Sequence, residues 1–451
     1  MADEGGQRYW TRRRTIAVLA AASLGGCMTS TGGNSTPTAT PFDERYDLAV
    51  DHDSAAWDRR DPDWTAPASA PAVETLETEV LVENLEIPWD LSFAGDGTLF
   101  VSERVGRVKA VDGEEVRVVA EPVEAIDAEA IAPGEDHESW WVEGGEGGTL
   151  GVAAHPNYPE PSLVYVYYTA DTDEGKRNRV VAFDPTADSP SEGVGTIAED
   201  IPADGIHNGG RLEFGPENYL WITCGDAGES AKAQDPSTLH GTVLRVKPNG
   251  DPAPGNPDLG AEADPRIYTY GHRNPQGVVW LPDGTPLATE HGPDGRDEIN
   301  RLEPGANYGW PEVRRREAYP GSDVHRPLAN SGPPSWAPTG ALFYTGDAVS
   351  TLTNRLLVGG LFSQQLLVAT VTPPGDDLPP VGDGTRHEGA WTDDADTVTT
   401  NTALKNALGR IRHVEQGPEG EIYLVTSNRD GRAKDPFPTE RDDVLVRLTG
   451  G

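Results

Sequence analysis

Lysine and cysteine are nearly absent from this chain. Lysine occurs only at positions 109, 176, 232, 247, 405 and 434 of 451, so almost all of the 36 basic residues are arginine. Against them stand 74 Asp and Glu, for a formal net charge of -38 and a pI near 4.5. A surface so short of positive charge repels nucleic acid and anionic lipid headgroups, which argues against both as partners. An acidic, lysine-poor composition is expected of a protein from concentrated brine, where salt screens self-repulsion, and it points to a halophilic archaeal source. The two cysteines are Cys27 and Cys224. If Cys27 is used for anchoring, the single remaining thiol excludes an intramolecular disulfide and a cysteine-based metal centre. Cys224 has no basic neighbour in sequence and reads as a small buried residue, not a nucleophile. Long apolar runs are also missing. The charge-free stretch at 15–26 is too short to span a bilayer as a mature helix.

What is present is turn chemistry and aromatics. The 52 glycines and 39 prolines imply many turns, while 11 Trp and 13 Tyr argue against an acidic disordered chain. At the N-terminus, Arg12, Arg13 and Arg14 precede the apolar stretch, and LGGC (24–27) resembles a lipobox. Residues 1–26 are therefore expected to be a twin-arginine lipoprotein signal peptide, with Cys27 the lipidated first mature residue. That implies export to the outer face of the cytoplasmic membrane, with membrane contact only through the anchor. Residues 27–75 read as a flexible linker, Ser/Thr/Pro-rich to about 40 and then acidic, with Trp57 and Trp64 unplaced. Residues 76–451 form the folded domain.

One pattern recurs in that domain: an apolar residue, a Pro/Asp–Gly turn, then a run of β-formers. Copies are FAGDGTLFVSER (93–104), HPNYPEPSLVYVYYT (155–169), FGPENYLWITCGD (214–226), LPDGTPLATE (281–290) and QGPEGEIYLVTS (416–427), with a degenerate one at LTNRLLVGGL (352–361). Successive copies are 62, 59, 67, 71 and 64 residues apart. Near-even spacing of hairpin-like units signals radial repetition. About sixty residues suits a four-stranded blade with one long loop, and six blades closing a ring leave no exposed edge. The fold class is therefore all-β, a six-bladed β-propeller. ETEVLV (77–82) and DVLVRL (443–448) are placed to pair and close the ring; a two-domain β-sandwich would not explain the period.

Polar clusters sit beside these strands in equivalent places. EGGTLG (146–151) precedes the second copy and HNGGR (207–211) the third. GHRNPQ (271–276) precedes the fourth, which ends in EHGP (290–293), and GRIRH (409–413) precedes the sixth. Arginines converging on one axis in so acidic a chain imply an anionic small ligand, since paired guanidiniums favour carboxylate or phosphate. The same arginines could instead pair with the chain's own acids, and His207 could be a satisfied structural histidine.

GHRNPQG (271–277), EHGPDGRDEIN (290–300), NYGWP (307–311) and HNGGRL (207–212) resemble the motifs of the soluble quinoprotein sugar dehydrogenases, the glucose/sorbosone and aldose sugar dehydrogenase family, which uses pyrroloquinoline quinone (PQQ). EGGTLGVAAHPNY (146–158) and GRIRHVEQGPEGEIYLVT (409–426) match in order and spacing, so the resemblance spans about 80–430. It implies a six-bladed propeller that oxidises the C1 hydroxyl of an aldose to the lactone, passing hydride to PQQ with Ca²⁺ as second cofactor. His207 would be the general base, a role suited to an imidazole at neutral pH. Arg273 and Asn274 would hold the quinone oxygens, where Arg273 also stabilises the developing charge. Arg410 and Arg412 would clamp the cofactor carboxylates, and His291 lies with the cofactor ligands. Gly292 and Pro293 would offer backbone carbonyls to Ca²⁺, Asp297 and Glu298 a second, structural calcium site. Glu146 matches a sugar contact. Trp336 is either a stacking wall or a packed blade aromatic.

Two departures stand out. Phe362 falls where the family often has a cofactor-touching lysine, and Ile206 is apolar where sugar-specific relatives can carry an acid. There is no CxxCH haem-attachment motif, so a dehydrogenase would need a separate electron acceptor. Two other readings fit the same residues: a Ca²⁺-dependent lactonase using Glu290 or Asp294 as metal ligands, and a non-catalytic surface propeller binding sugar or protein, which Phe362 favours.

Overall fold

The computed structural model describes residues 42–113, 115–132, 145–173 and 175–450. Six antiparallel sheets follow one another along the chain. Their innermost strands are Pro88–Phe93, Thr149–Ala154, Leu212–Phe214, Pro275–Trp280, Pro338–Tyr344 and Ile411–Gln416. Each inner strand packs beside the next and the sixth returns to the first, so the sheets are blades of a closed six-bladed propeller. Apolar residues of the strands do not form one central core. They form six, one in each cleft between neighbouring blades.

The repeat is the turn that leaves each inner strand. In blades 1, 3, 4 and 6 it closes with the same backbone bond: Ala94 to Thr98, Gly215 to Tyr219, Leu281 to Thr285 and Gly417 to Glu421, all 2.8–3.0 Å. Blade 2 replaces it with a longer connection, closed by His155 N–H to Leu163 O at 3.0 Å. Blade 5, the degenerate copy, uses residues 345–354 and adds a fifth strand at Thr385–His387. Closure occurs as the sequence suggests. Leu76–Val82 pairs antiparallel with Leu445–Gly450, Leu76 opposite Gly450 and Val80 opposite Val446, so blade 6 is built from both ends of the domain.

Residues 42–75 correct the linker expectation. From residue 42 on, the segment is a strap laid across one face of the ring, fastened to the inner-strand turns in blade order. Ala49 O accepts from Asn157 of blade 2, and Asp51 O from Asn218 of blade 3. Asp61 N–H donates to Pro282 O of blade 4, and Thr65 O accepts from Asn354 of blade 5. The two tryptophans explain why it stays down. Trp64 is 8% exposed, edge-on to Phe343, and Trp57 packs between blades 3 and 4. Acidity along the strap marks its solvent side, which composition alone cannot tell from a linker. The export signal and lipobox lie outside the described residues.

Candidate active site

The loops that enter the inner strands open on the face opposite the strap, and they carry the predicted motifs. His207 sits at the start of blade 3 with φ of 55°, a left-handed conformation unusual for a residue with a side chain. Three contacts hold it there. Its N–H donates to Glu146 Oε2 at 2.7 Å, and its Nδ1 meets Asp226 Oδ1 at 2.6 Å. The other Asp226 oxygen accepts from Trp310 Nε1 at 2.7 Å. A carboxylate on Nδ1 puts the ring proton there and leaves Nε2 with its lone pair outward. Burial works against the charge on Asp226, but hydrogen bonds from His207, Gly228 and Trp310 hold its carboxyl below the ordinary range.

Beside His207 is a cavity lined by Trp89, Glu146, Gln276, His291, Leu361, Arg412 and Arg432. Four guanidiniums gather at and behind it: Arg104, Arg410 and Arg412, all buried, and Arg432. Among the described residues, two carboxylates form ion pairs with them. Asp430 pairs with Arg410 at 2.7 Å and Arg432 at 3.3 Å, and Glu146 with Arg432 at 3.3 Å. Burial and the neighbouring Arg432 push Arg104 down to about 10. Burial and Arg104 push Arg412 well below its usual value. Against burial, Arg432 and then His207 hold Glu146 down to about 2. Among the described residues, several polar atoms here are buried without a hydrogen-bond partner: Arg104 Nη1, Arg273 Nε, Arg410 Nε, Arg412 Nε and His291 Nε2. Buried donors rarely stay unpaired. A cluster of guanidiniums, with unpartnered N–H groups around one hollow, fits a ligand carrying several carboxylates.

The glucose/sorbosone dehydrogenase family matches residues 85–435. This chain belongs to that family. It is 28% identical to an aldose sugar dehydrogenase of Escherichia coli over 82% of this chain and 93% of that one. It is 30% identical to quinoprotein glucose dehydrogenase B of Acinetobacter calcoaceticus over 53% of each. A PQQ-bound aldose sugar dehydrogenase from Streptomyces coelicolor superposes with a TM-score of 0.66 at 29% identity, covering 85% of this chain and all of that one. Family membership and these relatives support a sugar dehydrogenase.

Within this member of the family the predicted residues fall into two groups. His207, Arg273, Asn274, His291, Arg410, Arg412 and Glu146 all stand at the same end of the axis. Asn274 Oδ1 accepts from Gly209 N–H at 3.1 Å, and Arg273 Nη1 donates to His291 O at 3.2 Å. Both stay close to His207, because Asp226 N–H bonds Arg273 O at 2.8 Å. Burial, opposed in part by Glu146, pushes His291 down to about 3 and keeps it neutral. Arg410 and Arg412 do not act as a simple i, i+2 pair. Arg410 is taken by Asp430, whereas Arg412 donates to Gln276 at 3.1 Å and lies over Trp89.

Three expectations are revised. Trp336 packs edge-on to His387 and against the blade 4–5 core, so it is a blade aromatic; the aromatic wall of the cavity is Trp89. Asp297 and Glu298 do not converge, because neighbouring residues of an extended run face opposite ways. Asp297 is filled by N–H groups of Gly292, Trp336 and Ala337 and by the Ser335 hydroxyl, at 2.6–2.9 Å, and so anchors the loop. Glu298 lies with Glu290, bridged by Asn300, and burial with Glu290 raises it to about 7. Glu290 itself is engaged by His272 and by Arg273 N–H, which leaves little of it for the lactonase reading. At the bend, Gly292 is required because a Cβ would lie 2.1 Å from Arg296 O, while Pro293 O accepts from Arg296 at 3.0 Å.

Sequence reasoning missed Trp89, Arg104, Asp226, Asp430 and Arg432. SNRDGR (427–432) follows the sixth copy as GDAG (225–228) follows the third, so equivalent position in the repeat was the available signal. Cys224 is fully buried and its thiol pushed up to about 12 by burial, a structural residue as expected.

Proposed function

We propose that this protein oxidises the C1 hydroxyl of an aldose to the lactone, with PQQ and Ca²⁺ bound at the mouth of the ring. The observation that carries the reading is a cluster of four guanidiniums at a cavity whose buried donors have no partner among the described residues, next to a histidine whose Nδ1 is held by Asp226 so that Nε2 points outward. PQQ, when bound, supplies a two-electron acceptor for the hydride of the sugar C1–H bond. The carboxylates of such a ligand would meet Arg412, Arg410 and Arg432, and Arg273 and Asn274 would face its carbonyl oxygens. The carbonyls of Gly292 and Pro293 would hold Ca²⁺, with one lone pair of Pro293 O already used by Arg296.

The protein's own steps are positioning and proton transfer. Asp226 fixes the His207 ring with Nε2 outward, and Trp310 fixes Asp226. Nε2 takes the C1 hydroxyl proton as the C–H bond breaks. Glu146 is held by Arg432 and the His207 N–H, so it presents a fixed acceptor surface to the sugar and does not compete as a base. The electrons then pass to a separate acceptor.

The test uses purified protein in molar salt. It is titrated with PQQ and Ca²⁺ while the quinone spectrum is followed, and an aldose panel is then added. Bleaching of the oxidised spectrum by an aldose is expected. A folded protein with no spectral change on PQQ addition and no dye reduction would overturn the proposal.

A further inference from the structure

At the other end of the axis, under the strap, lies a second cavity that the reaction does not use. It is lined by Ser92, His155, Glu213, Trp280 and Glu415 and roofed by Trp57, Asp58 and Arg59. At its inner end, side chains from the inner strands of three different blades meet: Asp90 of blade 1, Glu213 of blade 3 and His413 of blade 6. One ligand-type atom from each lies within 4.8 Å of the others. Asp90 and His413 are fully buried, and Glu213 is half-buried against the cavity.

The cluster is incomplete as it stands. His413 Nδ1 has no hydrogen-bond partner although the ring is 0% exposed. It stands 3.4 Å from Asp90 Oδ1, while Nε2 stands 3.4 Å from Glu415 Oε2. A neutral ring carries one proton, so one of its nitrogens points a lone pair at a carboxylate oxygen. Two acceptors facing each other in a buried place call for a positive centre between them. Three carboxyl groups share the same place. Asp90, Glu213 and Glu415 meet at the channel, and the buried Arg211 is paired with Asp90. Arg59, paired with Glu415 at 3.3 Å, is a third exposed and largely screened. Burial and then Glu415 raise Glu213 to about 8, so it holds a proton that a bound ion would displace.

The geometry points to a divalent cation site formed by Asp90, Glu213 and His413, distinct from the cofactor site at the opposite mouth. Two carboxylates with one imidazole nitrogen suit a first-row ion such as Mn²⁺ or Zn²⁺, since Ca²⁺ takes oxygen ligands. Bonds of about 2.1 Å need ligand atoms no more than about 4.2 Å apart, so closure around an ion requires movements of under about an ångström. Asp90 is fixed by Val152 N–H at 3.1 Å and by Arg211. Glu213, reaching from blade 3, is the arm that closes. An ion there would tie blades 1, 3 and 6 across the axis.

Full-length protein freed of metal by a chelator is loaded separately with Mn²⁺, Zn²⁺ or Ca²⁺, desalted and assayed by elemental analysis. One equivalent of Mn²⁺ or Zn²⁺ is expected to remain, with Glu213→Gln and His413→Gln each weakening retention at least tenfold. Crystals of the unaltered protein soaked in Mn²⁺ should show an anomalous peak between the three side chains, which decides the matter even if a variant fails to fold. Three results would overturn the proposal: no retained ion with the cluster holding a proton instead, retention equal in both variants, or a peak elsewhere.

Discussion

In the proposed reaction His207 is the general base, and it is unusual in being held by two acids at once, Glu146 on its backbone and Asp226 on its ring. Replacing it by Asn is expected to lower kcat by about 10²- to 10⁴-fold, the usual worth of a positioned general base, while PQQ still binds. Loss of quinone binding in His207→Asn would mean that the residue holds the ligand and not the proton. Asp226→Asn is expected to keep the fold and lose about tenfold or more in kcat, because an amide no longer enforces one tautomer of the ring. Arg432→Ala tests the anion site. It removes one of four guanidiniums and frees Glu146, so reconstitution should require at least tenfold more PQQ, read directly in the quinone spectrum. At this scale the gathering of His207, Arg273, Arg410 and Arg412 at one end of the axis was legible, because each sits in a short motif next to a repeat. Arg432 and Trp89 were not, since their roles come from loops and strands of different blades meeting at the axis.

Between residue and ring lies the strap. Trp64 is buried by blade 5 on the strap face, away from the cavity beside His207, so Trp64→Ala should cost about 3 kcal/mol of stability, the range for a deleted buried aromatic. Sugar oxidation should be unchanged, and denaturant melts in molar salt give the measurement. An unaltered midpoint would show that the strap adds no stability. Blade 5 offers a pH test. His387 is buried, its Nε2 bonded to Thr400 at 3.0 Å, and burial followed by Arg316 pushes it down to about 4. The unfolded chain takes up this proton near pH 6.5, the folded one only near 4. Stability from this group is therefore full above pH 6.5 and is lost as pH falls toward 4. The melting temperature of the natural protein should drop across that window more than that of His387→Gln, and parallel curves would refute the assignment. The strap was illegible because Trp57 and Trp64 have no local period; their partners come from blades far along the chain, Trp221 and Trp280 for Trp57 and Phe343 for Trp64.

For the whole molecule the governing number is the net charge of -38. Raising salt from about 0.1 M to about 1 M shortens the screening length from about 10 Å to about 3 Å. Self-repulsion then falls while the interblade cores strengthen or stay as they are, so melting temperature should rise with NaCl over this range. A flat response would show that the acids are already balanced pairwise. The ring also shows how so acidic a chain could bind an anion. Arg104, Arg410, Arg412 and Arg432 are gathered at the axial mouth, while many of the carboxylates lie exposed on the strap and the outer loops.

The sequence alone determined the repeat, the blade count, the strand pairing that closes the ring and the motifs at the site. Each of these rests on spacing along the chain, and a turn or a strand is dictated by residues close to one another. Tertiary structure decided what depends on convergence. It turned Trp336 into a packed aromatic and put Trp89 in the cavity wall. It separated Asp297 from Glu298, added Arg104 and Arg432 to the arginine cluster, and laid residues 42–75 against the turns. It also set Asp90, Glu213 and His413 together at the far end of the axis. These residues come from different blades, and only closure of the ring fixes the distances between them.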